Sequence, residues 1–128
     1  MKEGDEIPAL VVTPDRYLPH RYAGASGDFN PIHIDPAFAK SVGLPQNILH
    51  GLYTMGLVAR AHVAAAGGDP RRLRRLSVQF RGLAIPEKEI TVSAAVKEAG
   101  GGRVTTSASA RQAGKRIIRN GEAELRLD

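Results

Sequence analysis

The chain contains no cysteine, which excludes disulfides, thiol nucleophiles and zinc–thiolate sites. Tryptophan is absent too, and three tyrosines and three phenylalanines are the whole aromatic complement. That is thin for a protein that stacks on nucleobases, and no nucleic-acid-binding motif accompanies the sequence pI of about 10.0. No apolar run reaches the roughly 20 residues of a membrane-spanning helix. The first residues, MKEGDEIP, are polar and acidic, unlike a secretory signal. These absences lead to the expectation of a cytoplasmic protein with no membrane and no nucleic-acid partner.

The chain has 128 residues, 42% of them apolar and 24% charged, the composition of one globular domain spanning 1–128. Its net charge of +5 is uneven. Residues 1–35 carry three basic and six acidic side chains, a net of −3, whereas 60–81 carry six arginines against Asp69 alone, a net of +5. The run Arg71–Arg75 within that segment reads as a docking rim for an anion. The plainer reading is a solvated strand end in which Arg72 and Arg74 alternate with Leu73.

The pattern of elements is α+β. Ile7–Pro14 is a β-branched run ended by proline, a first strand. A helix follows, either capped by Asp15 and running to Ala25 or, with less conflict at Pro19, spanning Pro19 to Ala25. Asp35-Pro36 caps a short helix over AFAKSV that Gly43 ends. After a connection from Leu44 to Leu49, one long helix spans Gly51 to Ala66 and stops at Gly67-Gly68. Its apolar residues Leu52, Met55, Leu57, Val58, Ala59 and Val63 nearly encircle it, which predicts a buried helix. The remainder is β: RLRRLSVQFRGLAI, alternating at Leu73, Leu76, Val78 and Phe80, then EITVSAAVKEA, GRVTTSASARQ and KRIIRNGEAELRL, with turns at Gly100–Gly102 and Ala113-Gly114. The expected architecture is a curved, mostly antiparallel sheet of about five strands wrapped on one helix. Two layers and an open sheet edge favour dimerisation.

Tyr22–Ala39, YAGASGDFNPIHIDPAFA, is the stretch that points to chemistry. It places an acid, an amide and an imidazole, Asp28, Asn30 and His33, within six residues. Pro31 fixes its own φ and pushes Asn30 out of the α region, so Asp28 and His33 are expected on a stiff extended connection. An acid/base pair works only when held within reach of the reacting atom. The competing reading is a plain turn, since Ser, Gly, Asp, Asn and Pro all satisfy local backbone groups.

GDFNPIHIDPAFA resembles the signature of the MaoC-like (R)-specific enoyl-thioester hydratases and dehydratases, which have the hot-dog fold. LHGLYTMG is similar to that family's entry into the central helix, and SVQFRGLAIPEKEITVSAAV more weakly to its next strand and hairpin. Among subgroups the likeness is to catalytic subunits of actinobacterial (3R)-hydroxyacyl-ACP dehydratases. The resemblance implies reversible hydration of trans-2-enoyl thioesters carried by CoA or acyl carrier protein, with no cofactor. The partner would be a second copy or a paralogous hot-dog subunit. It also implies that Asp28 and His33 hold the catalytic water and that the Gly51 amide binds the thioester oxygen.

Helix physics supports the last assignment independently. The first turn of a helix has free N–H groups and the positive dipole end, and glycine lets an oxygen approach closely. Asn30 is expected to brace the loop, Tyr53 and Tyr22 to line the substrate cavity, and His50 to cap or orient. His20 and His62 receive no role. Relatives often place a small hydroxyl residue about two turns into the helix; Ala59 and Arg60 stand there instead, so an orienting hydrogen bond is missing or supplied elsewhere. Two alternatives remain: a non-catalytic acyl-thioester-binding subunit, and a thioesterase, for which no carboxylate stands on the long helix and only Asp69 follows its end. The arginine run would then meet CoA phosphates or an acidic carrier protein.

Overall fold

Alternating β-branched and small residues in the second half of the chain produce a five-stranded antiparallel sheet, seen in a computed structural model that describes residues 1–128. The strands are β1 (Glu6–Val12), β2 (Leu73–Phe80), β3 (Ile90–Gly100), β4 (Arg103–Gln112) and β5 (Lys115–Arg126), in the spatial order β1-β3-β4-β5-β2. The expected turns are in place. Gly101 and Gly102 take φ of 62° and 78° between β3 and β4, and Ala113 and Gly114 take 51° and 75° between β4 and β5. β1 and β2 are the two edges.

Four helices precede or interrupt the sheet: α1 (Leu18–Ser26), α2 (Pro31–Ile34), α3 (Pro36–Ser41) and α4 (Gly51–Ala65). The chain enters α1 at Leu18 with Pro19 in the first turn, where a missing N–H costs nothing; Asp15 instead accepts from Tyr17 N–H and pairs with Arg21. Asp35 caps α3 through the amides of Ala37 and Phe38. Ala66 is the cap of α4, followed by Gly67 and Gly68 at φ of 83° and 86°.

α4 lies on the inner face of the sheet. Leu57, Val58 and Ala61 pack with Ile90, Val92, Ala108, Ala110 and Ile118. The expectation of a helix buried on all sides is corrected here, because Leu52 is 66% exposed. A single sheet covers one side of a helix, and its other apolar side lies open in the isolated chain.

Two other patterns differ from simple alternation. Phe80 is 49% exposed, yet its ring lies against the backbone of Gly51. Arg72 belongs to a 3-10 turn, Pro70–Arg72, and donates to the Ala66 carbonyl. Arg74 and Arg75 are then both exposed, because β2 slips register against β5 between Leu73 and Arg75. A bulge breaks the period of 2 on which the alternation of Arg72 and Arg74 depends. The same device on β5, where Ala110 faces Ile118 but Arg111 faces Arg116, lets Ile117 and Ile118 both be buried.

His62, given no role from sequence, is a core residue. It is fully buried; its Nδ1 donates to the Val58 carbonyl at 2.7 Å and its Nε2 accepts from the Thr106 hydroxyl of β4 at 2.7 Å. Burial holds its pKa below the ordinary 6.5, against the smaller upward pull of the Val58 bond. The unfolded chain therefore binds the proton first. The contribution is complete above about pH 6.5 and is lost as pH falls through the lower folded value. Denaturant titrations at pH 7 and pH 5 are expected to show reduced stability at pH 5, and His62→Leu to reduce that dependence.

Candidate active site

The loop and short helices before α4 are folded back over its N-terminus by backbone bonds. Ile48 N–H donates to the Ile32 carbonyl at 3.0 Å, and Leu49 N–H to the Ala84 carbonyl at 2.8 Å. The Asn47 amide donates to the His33 carbonyl at 3.0 Å. Gln112 pins the opposite loop, exchanging bonds with Ile85 at 2.9 and 2.8 Å. His20 Nε2 donates to the Ile34 carbonyl at 3.1 Å, tying α1 to α2. Sequence carried no sign of this last bond, because Ile34 is 14 residues away.

The expected extended connection is in fact a loop followed by one helical turn. Asn30 stays out of the α region, at φ −52° and ψ 126°, as a residue before proline must. Its side chain then caps α2 by accepting from Ile32 N–H at 3.1 Å, so Pro31 begins a helix instead of prolonging a strand. Asn30 N–H also donates to Asp28 Oδ1 at 3.2 Å. Asn30 thus fixes both members of the pair: one through its own amide, the other through the helix it caps.

His33 sits on α2, 8% exposed, and Asp28 in the loop before it, with its side chain half exposed. His33 Nδ1 donates to the Ile48 carbonyl at 2.8 Å. A carbonyl only accepts, so the proton of a neutral imidazole is on Nδ1 and the Nε2 lone pair faces outward. Asp28 Oδ2 is 3.8 Å from that Nε2. This is too long for a direct hydrogen bond, but a water oxygen set to one side reaches both atoms. With two acceptors facing it, such a water donates a proton to each. The Ile48 carbonyl also supplies the orienting bond that no hydroxyl at Ala59 or Arg60 provides.

His50, 2% exposed, stacks on His33 with ring centroids 3.9 Å apart and planes inclined by 21°. Its Nε2 donates to the Asp28 carbonyl at 3.0 Å, and its buried Nδ1 has no hydrogen-bond partner. Tyr22 packs on the other side, 4.6 Å from His50, and meets Tyr53 edge-on at 5.9 Å. Burial raises the pKa of Tyr53, an effect that Arg60 opposes. The His50 bond ties the entry of α4 to the Asp28 loop, and Tyr53 reaches this stack through Tyr22. Asp28, His33 and His50 present ligating atoms within 4.8 Å of one another. One nitrogen of each imidazole is taken by a carbonyl, which leaves the other nitrogens and Asp28 for an ion.

Gly51 opens α4 immediately after His50. The first acceptor in the helix, the His50 carbonyl, takes Tyr53 and Thr54 N–H; the amides of Gly51 and Leu52 have no protein acceptor. A side-chain carbon at Gly51 would meet the Phe80 ring at 3.3 Å. Phe80, one of the alternating apolar residues of its strand, lies against the first residue of α4. Arg71–Arg75 is not at this site: it follows the other end of α4, about 22 Å away at helical rise. Asp69 is there too, its pKa held at about 2 by Arg71, and this carboxylate stands at the far end of α4 from Gly51, away from any thioesterase centre there.

Known proteins bear this arrangement out at the level of fold and family. The "MaoC like domain" family matches residues 5–116. The chain is 40% identical over 93 residues to "Fatty acid synthase beta subunit aflB" of Emericella nidulans, covering 71% of this chain and 4% of that protein. It is 37% identical over 86 residues to "Enoyl-CoA hydratase ChsH3" of Mycobacterium tuberculosis, covering 66% and 29%. A solved "MaoC-like dehydratase" superposes with a TM-score of 0.94 at 33% identity, over 100% of this chain and 41% of that one. The chain therefore spans less than half the length of each of these proteins. With the sheet wrapped on α4 as in that structure and a family match over nearly its whole length, the chain is a hot-dog domain and belongs to the MaoC-like domain family.

Proposed function

We propose that the protein catalyses reversible hydration of trans-2-enoyl thioesters to (3R)-hydroxyacyl thioesters, with CoA or acyl carrier protein as the carrier. The observation that carries this reading is the pair of acceptors, Asp28 Oδ2 and His33 Nε2, 3.8 Å apart beside the unclaimed amides of α4. A water donating to both is aimed as a nucleophile. Its oxygen bonds to the β-carbon as one O–H breaks, and the conjugated electrons move onto the thioester oxygen. The Gly51 amide and the helix dipole stabilise that charge. The side chain that accepted the proton becomes an acid able to deliver it to the α-carbon as the carbonyl re-forms. One water is added in total, both side chains return to their starting states, and no step calls for a cofactor.

The site also supports pairing with a second hot-dog domain, a copy or a paralogue. Leu52, Phe80 and Leu83 are 66%, 49% and 49% exposed, and β2 leaves its outer backbone edge unpaired. Apolar residues of this size around a site mouth are covered by a partner or by an acyl chain. No helix is long and apolar enough to cross a membrane, and the cytoplasm is the proposed location.

The test follows the absorbance of a short trans-2-enoyl-CoA and of the same acyl group on a carrier protein. Loss of the conjugated absorbance with wild-type protein supports hydration. A folded dimer inactive on both substrates moves the reading to an accessory subunit that needs a catalytic partner. Release of free thiol without hydration would identify a thioesterase.

A further inference from the structure

Three arginines, one on β4, one on β5 and one just past β2, stand side by side near the end of β2. Arg111 on β4 lies directly opposite Arg116 on β5. Arg81, one residue past β2, donates its backbone N–H to the Ile117 carbonyl at 2.9 Å. Its side chain donates to Gln79 Oε1 at 3.2 Å. All three are exposed, and none has a carboxylate within ion-pair distance. Arg71, Arg103 and Arg126, in contrast, pair with Asp69, Glu124 and Asp128. Like charges directly opposite one another destabilise a sheet. Here the neighbouring sequence adds to the charge, since residues 111–119 contain Lys115 and Arg119 and no acid.

The row has a definite position. Ala110 and Gln112 are buried, so alternation sends Arg111 to the outer face. Arg116 lines an outer groove of about 610 Å³ floored by Ser93, Ser107 and Ser109. Arg81 follows Phe80, whose ring packs at 3.3 Å against the place a Gly51 side chain would take. Phe80 and Arg81 are consecutive and point to opposite faces, so the row and Gly51 lie on the two faces of the sheet at the end of β2.

We infer that Arg81, Arg111 and Arg116 bind a phosphate of the carrier group while the thioester lies at Gly51. The inference takes its ligand from the proposed thioester chemistry and deepens it. Guanidinium groups pair with phosphate oxygens through two parallel N–H bonds, and an extended carrier arm crossing the end of β2 brings its phosphate onto the row. This assignment replaces the Arg71–Arg75 run, which lies at the other end of α4.

The test is calorimetric titration with CoA and with 4′-phosphopantetheine, across a range of salt. The proteins are wild type, the triple variant R81Q/R111Q/R116Q and the distant control R74Q/R75Q. We expect wild type and control to bind alike and the triple variant to bind at least about tenfold more weakly, as for a lost charged hydrogen bond, with a shallower salt dependence. Weakening toward both ligands assigns the phosphate that carrier proteins share with CoA; weakening toward CoA alone assigns the nucleotide phosphates. Equal binding by all three proteins, or equal weakening in the control, overturns the inference. If the triple variant does not fold, Arg116→Gln alone carries the comparison. Hydration by the same wild-type protein is read separately. Active enzyme with unchanged binding in the variant sinks this inference and keeps the activity; inactive protein with lost binding does the reverse.

Discussion

Asp28→Asn and His33→Gln are each expected to lower kcat/KM for a trans-2-enoyl thioester by about 10²–10⁴-fold, the range for a positioned acid or base. The geometry makes the two losses different in kind. Asp28→Asn keeps the size and the acceptor that Asn30 N–H uses, but puts an amide where the water needs an anionic acceptor. Half exposed as it is, this side chain contributes little to packing, so thermal unfolding should be nearly unchanged. His33→Gln keeps a donor for the Ile48 carbonyl while removing the Nε2 lone pair. On the proposed mechanism the two groups share one water, so the double variant should be scarcely worse than the poorer single variant. Additive losses would mean that the side chains act in separate steps. Variants with wild-type rates would remove both residues from the mechanism.

Gly51→Val is expected to cost about 10²-fold in kcat/KM, the scale of one oxyanion donor. The peptide N–H remains, but the added carbons occupy the approach to it and meet the Phe80 ring, 3.3 Å from the first of them. Gly51→Ala should cost less, because the edge of an exposed ring can give by a few tenths of an ångström. Pairing Gly51→Ala with Phe80→Ala relieves that contact and should recover part of the loss. Measured at saturating substrate, the effect belongs in kcat, since the charge on the thioester oxygen develops in the transition state. An effect confined to KM would place Gly51 in substrate binding alone.

The fold was largely legible because its signals are local. A proline in the first turn of α1, α2 and α3, glycines past α1, α3 and α4, and period-2 alternation in β3 and β4 depend on neighbours within a few residues. Asp28, Asn30, His33 and Gly51 stood out as candidates for the same reason, since residue type and near spacing restrict what a polar turn before a helix can do. One local reading failed, the extended connection that the Asn30 cap turns into a helix; the other failures needed a distant partner. Arg72 and Arg74 fell out of alternation through a bulge set by β5. Phe80 matched the core pattern but lies over the first residue of α4, 29 positions earlier in the chain.

The sequence by itself determined the element types, the one long helix, the closeness in the chain of an acid and an imidazole, and the absence of thiol chemistry. Tertiary structure decided which nitrogen of His33 is free, because the acceptor for the other is a carbonyl 15 residues away. It decided that His50 bonds the Asp28 loop, that His62 is a core hydrogen-bond bridge, and that Arg81, Arg111 and Arg116, distant in the chain, stand together without carboxylate partners. Composition and period report what a residue prefers. Which lone pair is left unused, and which charges stand together unpaired, is set only when the sheet closes on the helix.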